Sequence, residues 1–100
     1  MNAAARLTTP LRLGGVEIAN RVFLAPMSGV TDEPYRARAV AHGAGLVVSE
    51  MVASGELARG RRNSTLRIRR PDVPVHVVQL AGREAQWMAE GARIAAGEGA

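Results

Sequence analysis

The sequence predicts an α/β fold built on a parallel sheet, with three strand–helix units behind a leading β-hairpin. Three observations predict it. Apolar runs around Val22-Phe23-Leu24-Ala25, Leu46-Val47-Val48 and Val77-Val78-Gln79-Leu80 are short and nearly unbroken, as strands buried on both faces are. Segments with helix start and stop signals separate them. Ahead of them, Leu11-Arg12-Leu13 and Val16-Glu17-Ile18 alternate around Gly14-Gly15, a hairpin signal. Alternating β and α implies parallel strands with helices covering the sheet.

Residues 1–9 read as a tail and 10–100 as one unit. The first strand, Arg21 to Ala25, is ended by Pro26, and Met27 to Thr31 form a loop containing Gly29. Thr31 or Asp32 can cap the helix that follows, with Glu33 near its positive end and Pro34 in its first turn. That helix runs to about His42, where Gly43 is placed to end it. Leu46 to Glu50 is the second strand. Ala53 to Arg70 has an arginine-rich middle and reads as a short helix followed by a loop. Pro71 and Pro74 bracket an extended approach to the third strand, His76 to Leu80, which ends at Ala81-Gly82. The last helix, Arg83 to Glu98, carries Trp87, Met88, Ala92, Ile94 and Ala95 on roughly one face.

Composition removes several function classes. The chain has no cysteine, so it holds no disulfide, thiolate metal site or thiol nucleophile. No apolar run approaches the roughly 20 residues of a membrane-spanning helix. Met1 to Pro10 lack the apolar stretch of a secretory leader, so the expected location is the cytoplasm. His42 and His76 lie far apart with no carboxylate at metal-ligand spacing, so no metal site is expected. His42 suits a helix C-terminus, and His76 belongs with strand packing. There is no G-x-G-x-x-G after the first strand and no P-loop. All 13 basic residues are arginine, and the net charge is +4. Guanidinium forks suit phosphate, which makes an RNA partner one reading; codon usage in an arginine-rich, lysine-free chain is the other.

Ligands of parallel α/β folds bind at the carboxyl ends of the strands. Three such ends are present: Ala25 to Gly29, Ser49 to Met51, and Gln79 to Gly82. At the first, Met27 can lie against a flat heteroaromatic ligand while Met27 and Ser28 offer backbone amides and a hydroxyl. A plain βα loop whose methionine fills a core gap is the other reading of this pattern. At the third, the Gln79 carboxamide matches an imide-like ring edge, or is satisfied by a neighbouring strand or water. Ser49 and Glu50 stand between them. Glu50 reads as structural or substrate-positioning, paired with an arginine from the 59–70 cluster.

Residues Asn20 to Asp32, followed by Pro34-Tyr35-Arg36, resemble the first strand and loop of the tRNA-dihydrouridine synthases. Gly45-Leu46-Val47-Val48-Ser49-Glu50-Met51 is similar to their second strand, and Val77-Val78-Gln79-Leu80-Ala81-Gly82 to their third. The match covers about residues 10 to 100 and is nearest the bacterial B-type branch. Ser28 stands where many members have alanine.

The resemblance implies the N-terminal portion of a TIM (β/α)8 barrel, about three of its eight βα units plus the hairpin. It implies FMN at the strand ends, with Pro26, Met27 and Ser28 lining the flavin and Gln79 bonded to the isoalloxazine. It further implies reduction by NADPH, hydride transfer to C6 of a uridine in tRNA, and a cysteine giving a proton to C5. That cysteine, in an Asn-x-Gly-Cys-Pro loop, is expected beyond Ala100, as are the later phosphate loops and a C-terminal helical domain. No catalytic residue is therefore assigned among these positions. Two alternatives share parts of the pattern. An old-yellow-enzyme-like FMN reductase of small alkenes shares the hairpin and the Ala-Pro-Met strand end. An arginine-rich RNA-binding module without catalysis shares the charge, but it would leave strand edges unpaired.

Overall fold

A computed structural model describes residues 3–100, with side chains from Arg6 onward. Its elements are α1 (Ala3–Thr8), β1 (Leu11–Leu13), β2 (Val16–Ile18), β3 (Phe23–Leu24), α2 (Glu33–Ala41), β4 (Leu46–Val47), β5 (Val52–Ala53), α3 (Ser54–Ala58), α4 (Arg62–Arg67), β6 (Leu80–Ala81) and α5 (Ala85–Gly97). The tail expected over residues 1–9 thus carries a short helix, and the Leu7 carbonyl accepts from the Arg21 amide at 2.9 Å.

The hairpin forms in the expected register: Leu11 faces Ile18, Arg12 faces Glu17, and Leu13 faces Val16 across the Gly14-Gly15 turn. Beyond it the strands run parallel. β3 pairs with β4, Val48 bridges to Val77, and β5 pairs with β6. The second strand segment therefore lies between the first and the third. This position decides burial. Leu46, Val47, Ser49 and Glu50 are buried, as a strand flanked on both sides should be. The first strand departs from the expectation of two covered faces, with Val22 49% and Phe23 45% exposed. Among the described residues it has a partner on one edge only, so nothing covers its outer half.

α2 begins at Asp32, whose carboxylate accepts from the Tyr35 amide at 2.9 Å, so the cap is Asp32 rather than Thr31. It ends at His42, and Gly43 takes φ +106°, a conformation that costs glycine least. Residues 53–70 form two helices rather than one helix and a loop, parted at Arg59-Gly60-Arg61. α5 packs along α3, and Val52, Leu57 and Ile68 form the central cluster, against which Val78, Leu80 and Ile94 pack. The buried stripe of α5 runs through Gly91 and Ala95. Ala92, expected on that face, is exposed. One residue turns the helix by about 100°, so a stripe centred on Gly91 leaves Ala92 at its edge.

His76, expected in the third strand, is buried just ahead of the Val77 bridge and outside any strand, with Nε2 2.9 Å from the Ile68 carbonyl. A carbonyl only accepts, so Nε2 carries the proton, and buried Nδ1 has no partner among the described residues. Burial lowers the His76 pKa, the Ile68 bond and Glu98 oppose that shift, and Arg36 and Arg70 add to it. The folded imidazole thus resists a proton that the unfolded one accepts near its ordinary value of about 6.5. Stability is expected to be insensitive to this group above that pH and to fall as pH drops below it. His76→Gln, which keeps a donor for Ile68, should flatten the pH dependence of the unfolding midpoint between about pH 6.5 and 5. An unchanged slope in the variant would assign the loss to other groups.

Candidate functional site

The loop after β3 is closed on itself. The Met27 carbonyl accepts from the amides of Val30 and Thr31, both at 3.0 Å. The Thr31 hydroxyl accepts from the Met27 amide at 2.9 Å and donates back to the Met27 carbonyl at 3.1 Å. Thr31, fully buried, is therefore the pin of the loop. Of the amides expected to face a ligand, that of Met27 is already engaged by Thr31. The Ser28 amide and hydroxyl have no partner among the described residues. Gly29 takes φ +74°, where L side chains are strained, and this turn aims its amide at Glu50 Oε2, 2.6 Å away.

Glu50 is buried, with one oxygen hydrogen-bonded and the other in an ion pair. Its second oxygen, Oε1, lies 3.3 Å from Arg67 Nε. Arg67 also donates to the Met51 carbonyl at 3.1 Å. Arg36, 1% exposed, donates to the carbonyls of Arg67 and Arg69 at 3.3 and 3.2 Å and to that of Asp32 at 3.3 Å. Burial lowers the Arg36 pKa, with Glu33, Asp32 and Glu50 opposing the shift.

Ser49 joins the second strand to the third. Its hydroxyl accepts from the Gln79 amide at 3.0 Å and donates to the Glu50 carbonyl at 3.1 Å. The Gln79 carbonyl accepts from the Val52 amide at 2.9 Å. The rungs Ser49–Val77 and Val52–Gln79 enclose one more residue on the second strand than on the third. That makes a bulge at Glu50-Met51, a device that re-aims side chains beside functional sites. The second strand is in register with the first through Phe23–Leu46 and with the third through Val52–Leu80, so the bulge lies between the loop after the first strand and Gln79.

One rim thus carries the three strand ends. On it are Pro26, half-buried; Met27, 38% exposed; Ser28; and Gln79, whose exposed carboxamide has no partner among the described residues. This donor set fits a flat ring with an apolar face and an imide-like edge: a thioether for the face, and paired amide donor and acceptor for the edge. Beside the loop a cavity of about 270 Å³ is lined by Asp32, Glu50, Asn63, Leu66 and Arg67. Among the described residues no cluster of His, Asp and Glu has metal-binding geometry. His42 caps α2 with Nδ1 2.9 Å from the Arg38 carbonyl.

Much of the arginine cluster is engaged. Arg59 and Arg61 pair with Glu56, Arg67 with Glu50 and Arg69 with Glu33, while Arg70 donates to the carbonyls of Val73, Pro74 and Gly99. The Arg59 guanidinium also sits 5.9 Å from the Trp87 ring centroid. Reading the sequence alone missed Arg36, Thr31 as a pin, and the Gly29–Glu50 bond. The one available signal was Thr31 four residues after Met27, which also reads as a helix cap.

The dihydrouridine synthase (Dus) family model matches residues 23–100. The chain is 58% identical over 85 residues to a probable tRNA-dihydrouridine synthase of Rhizobium leguminosarum, covering 85% of this chain and 27% of that protein. It is 45% identical over 84 residues to tRNA-dihydrouridine synthase B of Pseudomonas putida, covering 83% and 25%. With tRNA-dihydrouridine synthase B of Escherichia coli it shares 41% over 91 residues, covering 90% and 28%. The chain spans about a quarter of the length of these curated relatives. No solved structure matches it significantly. Because the family match takes in all three strand ends and both of their ties, Ser49 and Glu50, the chain belongs to the dihydrouridine synthase family.

Proposed function

We propose that this chain forms the opening units of an FMN-binding (β/α)8 barrel in an enzyme that reduces uridine in tRNA to 5,6-dihydrouridine with NADPH. The observation that carries the reading is the rim on which consecutive residues of the second strand hold the two neighbouring strand ends, Glu50 the Met27–Gly29 loop and Ser49 the Gln79 backbone. When bound, FMN supplies hydride transfer from the nicotinamide to C6 of the uracil. Met27 gives the ring an apolar wall, Ser28 a hydrogen bond, and Pro26 a fixed exit from the strand. Gln79 pairs its carboxamide with the polar edge of the isoalloxazine. With no cysteine in the chain, no residue here is assigned to the proton at C5.

A uridine within folded tRNA must leave its stack to reach a ring at this rim, and exposed arginines such as Arg62 suit the phosphates around it. A tRNA substrate places the enzyme in the cytoplasm. Among the described residues no helix is long and apolar enough to cross a membrane. The names of the relatives favour tRNA over a small alkene as substrate.

The test pairs flavin binding with RNA analysis. The purified intact gene product, supplemented with FMN, is expected to be yellow, and deleting its gene should lower dihydrouridine in tRNA digests. Gln79→Met, similar in size but without the amide, should weaken FMN binding roughly tenfold, the worth of about one or two hydrogen bonds. A protein that retains no flavin and leaves tRNA dihydrouridine unchanged on deletion would overturn the reading.

A further inference from the structure

Glu50 is the buried carboxylate of the site, and its two oxygens serve different masters. Oε2 takes the Gly29 amide at 2.6 Å, the shortest hydrogen bond at the rim, and Oε1 faces Arg67 Nε at 3.3 Å. The Gly29 contact crosses from the second strand to the loop after the first, joining residues 21 positions apart. Arg67 is not free to swing either. Its second donor is bonded to the Met51 carbonyl, and Arg36 grips the backbone carbonyls of Arg67 and Arg69 from α2. A continuous set of polar contacts therefore runs from the buried Arg36 through the end of α4 to Arg67, Glu50 and Gly29.

We infer that Glu50 is a positioning residue: through the Gly29 amide it sets the shape of the 26–29 loop that receives the cofactor, with Arg67 holding its carboxylate in place. This rests on the FMN reading above and assigns Glu50 no step in the chemistry. The physical case is one of alternatives. The turn at Gly29 puts its amide in a φ > 0 conformation that several loop shapes accommodate, because glycine is nearly indifferent among them. Thr31 fixes only the ends of the turn, Met27 and Thr31. Between those ends, the Gly29 bond to Glu50 is the tie the loop makes to another element. A charge-assisted bond from a buried carboxylate is among the stronger ones available. Without it, Ser28 and the Met27 side chain sample positions off the plane of the ring, and binding has to restore the order each time.

Two variants separate reach from charge. Glu50→Asp keeps the negative charge beside Arg67 but falls one methylene short of Gly29. Glu50→Gln combined with Arg67→Met keeps an acceptor for Gly29 and drops the ion pair. Hydrogen exchange at Gly29 in the flavin-free protein, FMN dissociation constants by flavin fluorescence, and thermal unfolding are measured on each. In Glu50→Asp, exchange at Gly29 should rise at least about tenfold and the FMN dissociation constant by about tenfold, with the unfolding midpoint little changed. In the double variant, which keeps the acceptor but loses its charge and its clamp, both should rise by only about threefold, less than in Glu50→Asp.

The reverse pattern, with Asp silent and the double variant impaired, would make the Glu50–Arg67 pair a structural ion pair and overturn the inference. So would weakened FMN binding with Gly29 exchange unmoved. An intact gene product that binds no FMN defeats the function proposed above instead, while the Gly29 contrast between the two variants still decides whether Glu50 holds the loop.

Discussion

Replacing Arg36 by methionine is expected to destabilise the protein by roughly 2–3 kcal/mol, read from urea unfolding, although the side chain lies on the helix that follows the candidate loop rather than in the loop itself. Methionine fills much of the same volume, so packing is largely kept and the loss reports the hydrogen bonds. The guanidinium serves three carbonyls, of Asp32, Arg67 and Arg69. Two of these lie at the end of α4, where a cation also meets the negative end of the helix. No carboxylate forms an ion pair with Arg36 among the described residues, so these carbonyls, together with the field of nearby Glu33, Asp32 and Glu50, compensate its burial. Removing the charge relieves its desolvation, which brings the expected cost below that of orphaning two or three carbonyls outright. Lysine should fall between the two, since one ammonium cannot span all three acceptors with a planar fork. A methionine variant as stable as the parent would mean that water satisfies those carbonyls equally well.

The second large effect is expected at Gly45. A Cβ there would lie 2.6 Å from the Asn20 carbonyl oxygen and closer still to the Asn20 side-chain oxygen. Asn20 cannot easily give way. Its amide donates to the Gly43 carbonyl at 2.8 Å, and its side-chain oxygen accepts from the Val22 amide at 2.9 Å. The Gly45 amide in turn donates to the Val22 carbonyl at 2.8 Å. This knot fastens the turn after α2 to the entrance of the first strand. Gly45→Ala should therefore cost about 2–3 kcal/mol, measured by the same unfolding curves. Gly55, in α3 with open space around its Cβ position, provides the contrast: Gly55→Ala should be neutral or stabilising by about 0.5–1 kcal/mol. Equal effects at the two glycines would show that Asn20 yields.

What could be read from the sequence divides along local and non-local lines. The hairpin register follows from an alternation that spans eight residues, and it formed as expected. The start and stop of α2 rest on Asp32 and Gly43, signals carried by single residues next to the element they govern. The break between α3 and α4 was not legible, because neither helix has a side-chain cap to announce it; their capping positions are Ala53 and Arg61. The strand-end rule nominates Met27, Ser28 and Gln79 as candidates, the resemblance adds Pro26, and the pairing of Glu50 with an arginine from the 59–70 stretch was anticipated. What escaped were contacts joining residues 20 to 35 positions apart: Glu50 to Gly29, Ser49 to Gln79, and Arg36 to the end of α4. A hydroxyl or guanidinium at the right position looks no different in the chain from one that faces water. Only the sheet order brings its acceptor near.

Ser49 and Glu50 are consecutive, and one clasps the right-hand neighbour while the other clasps the left. The loop after the first strand and the end of the third are therefore fastened to the same short stretch of backbone, so a substitution that shifts this stretch is expected to displace both together.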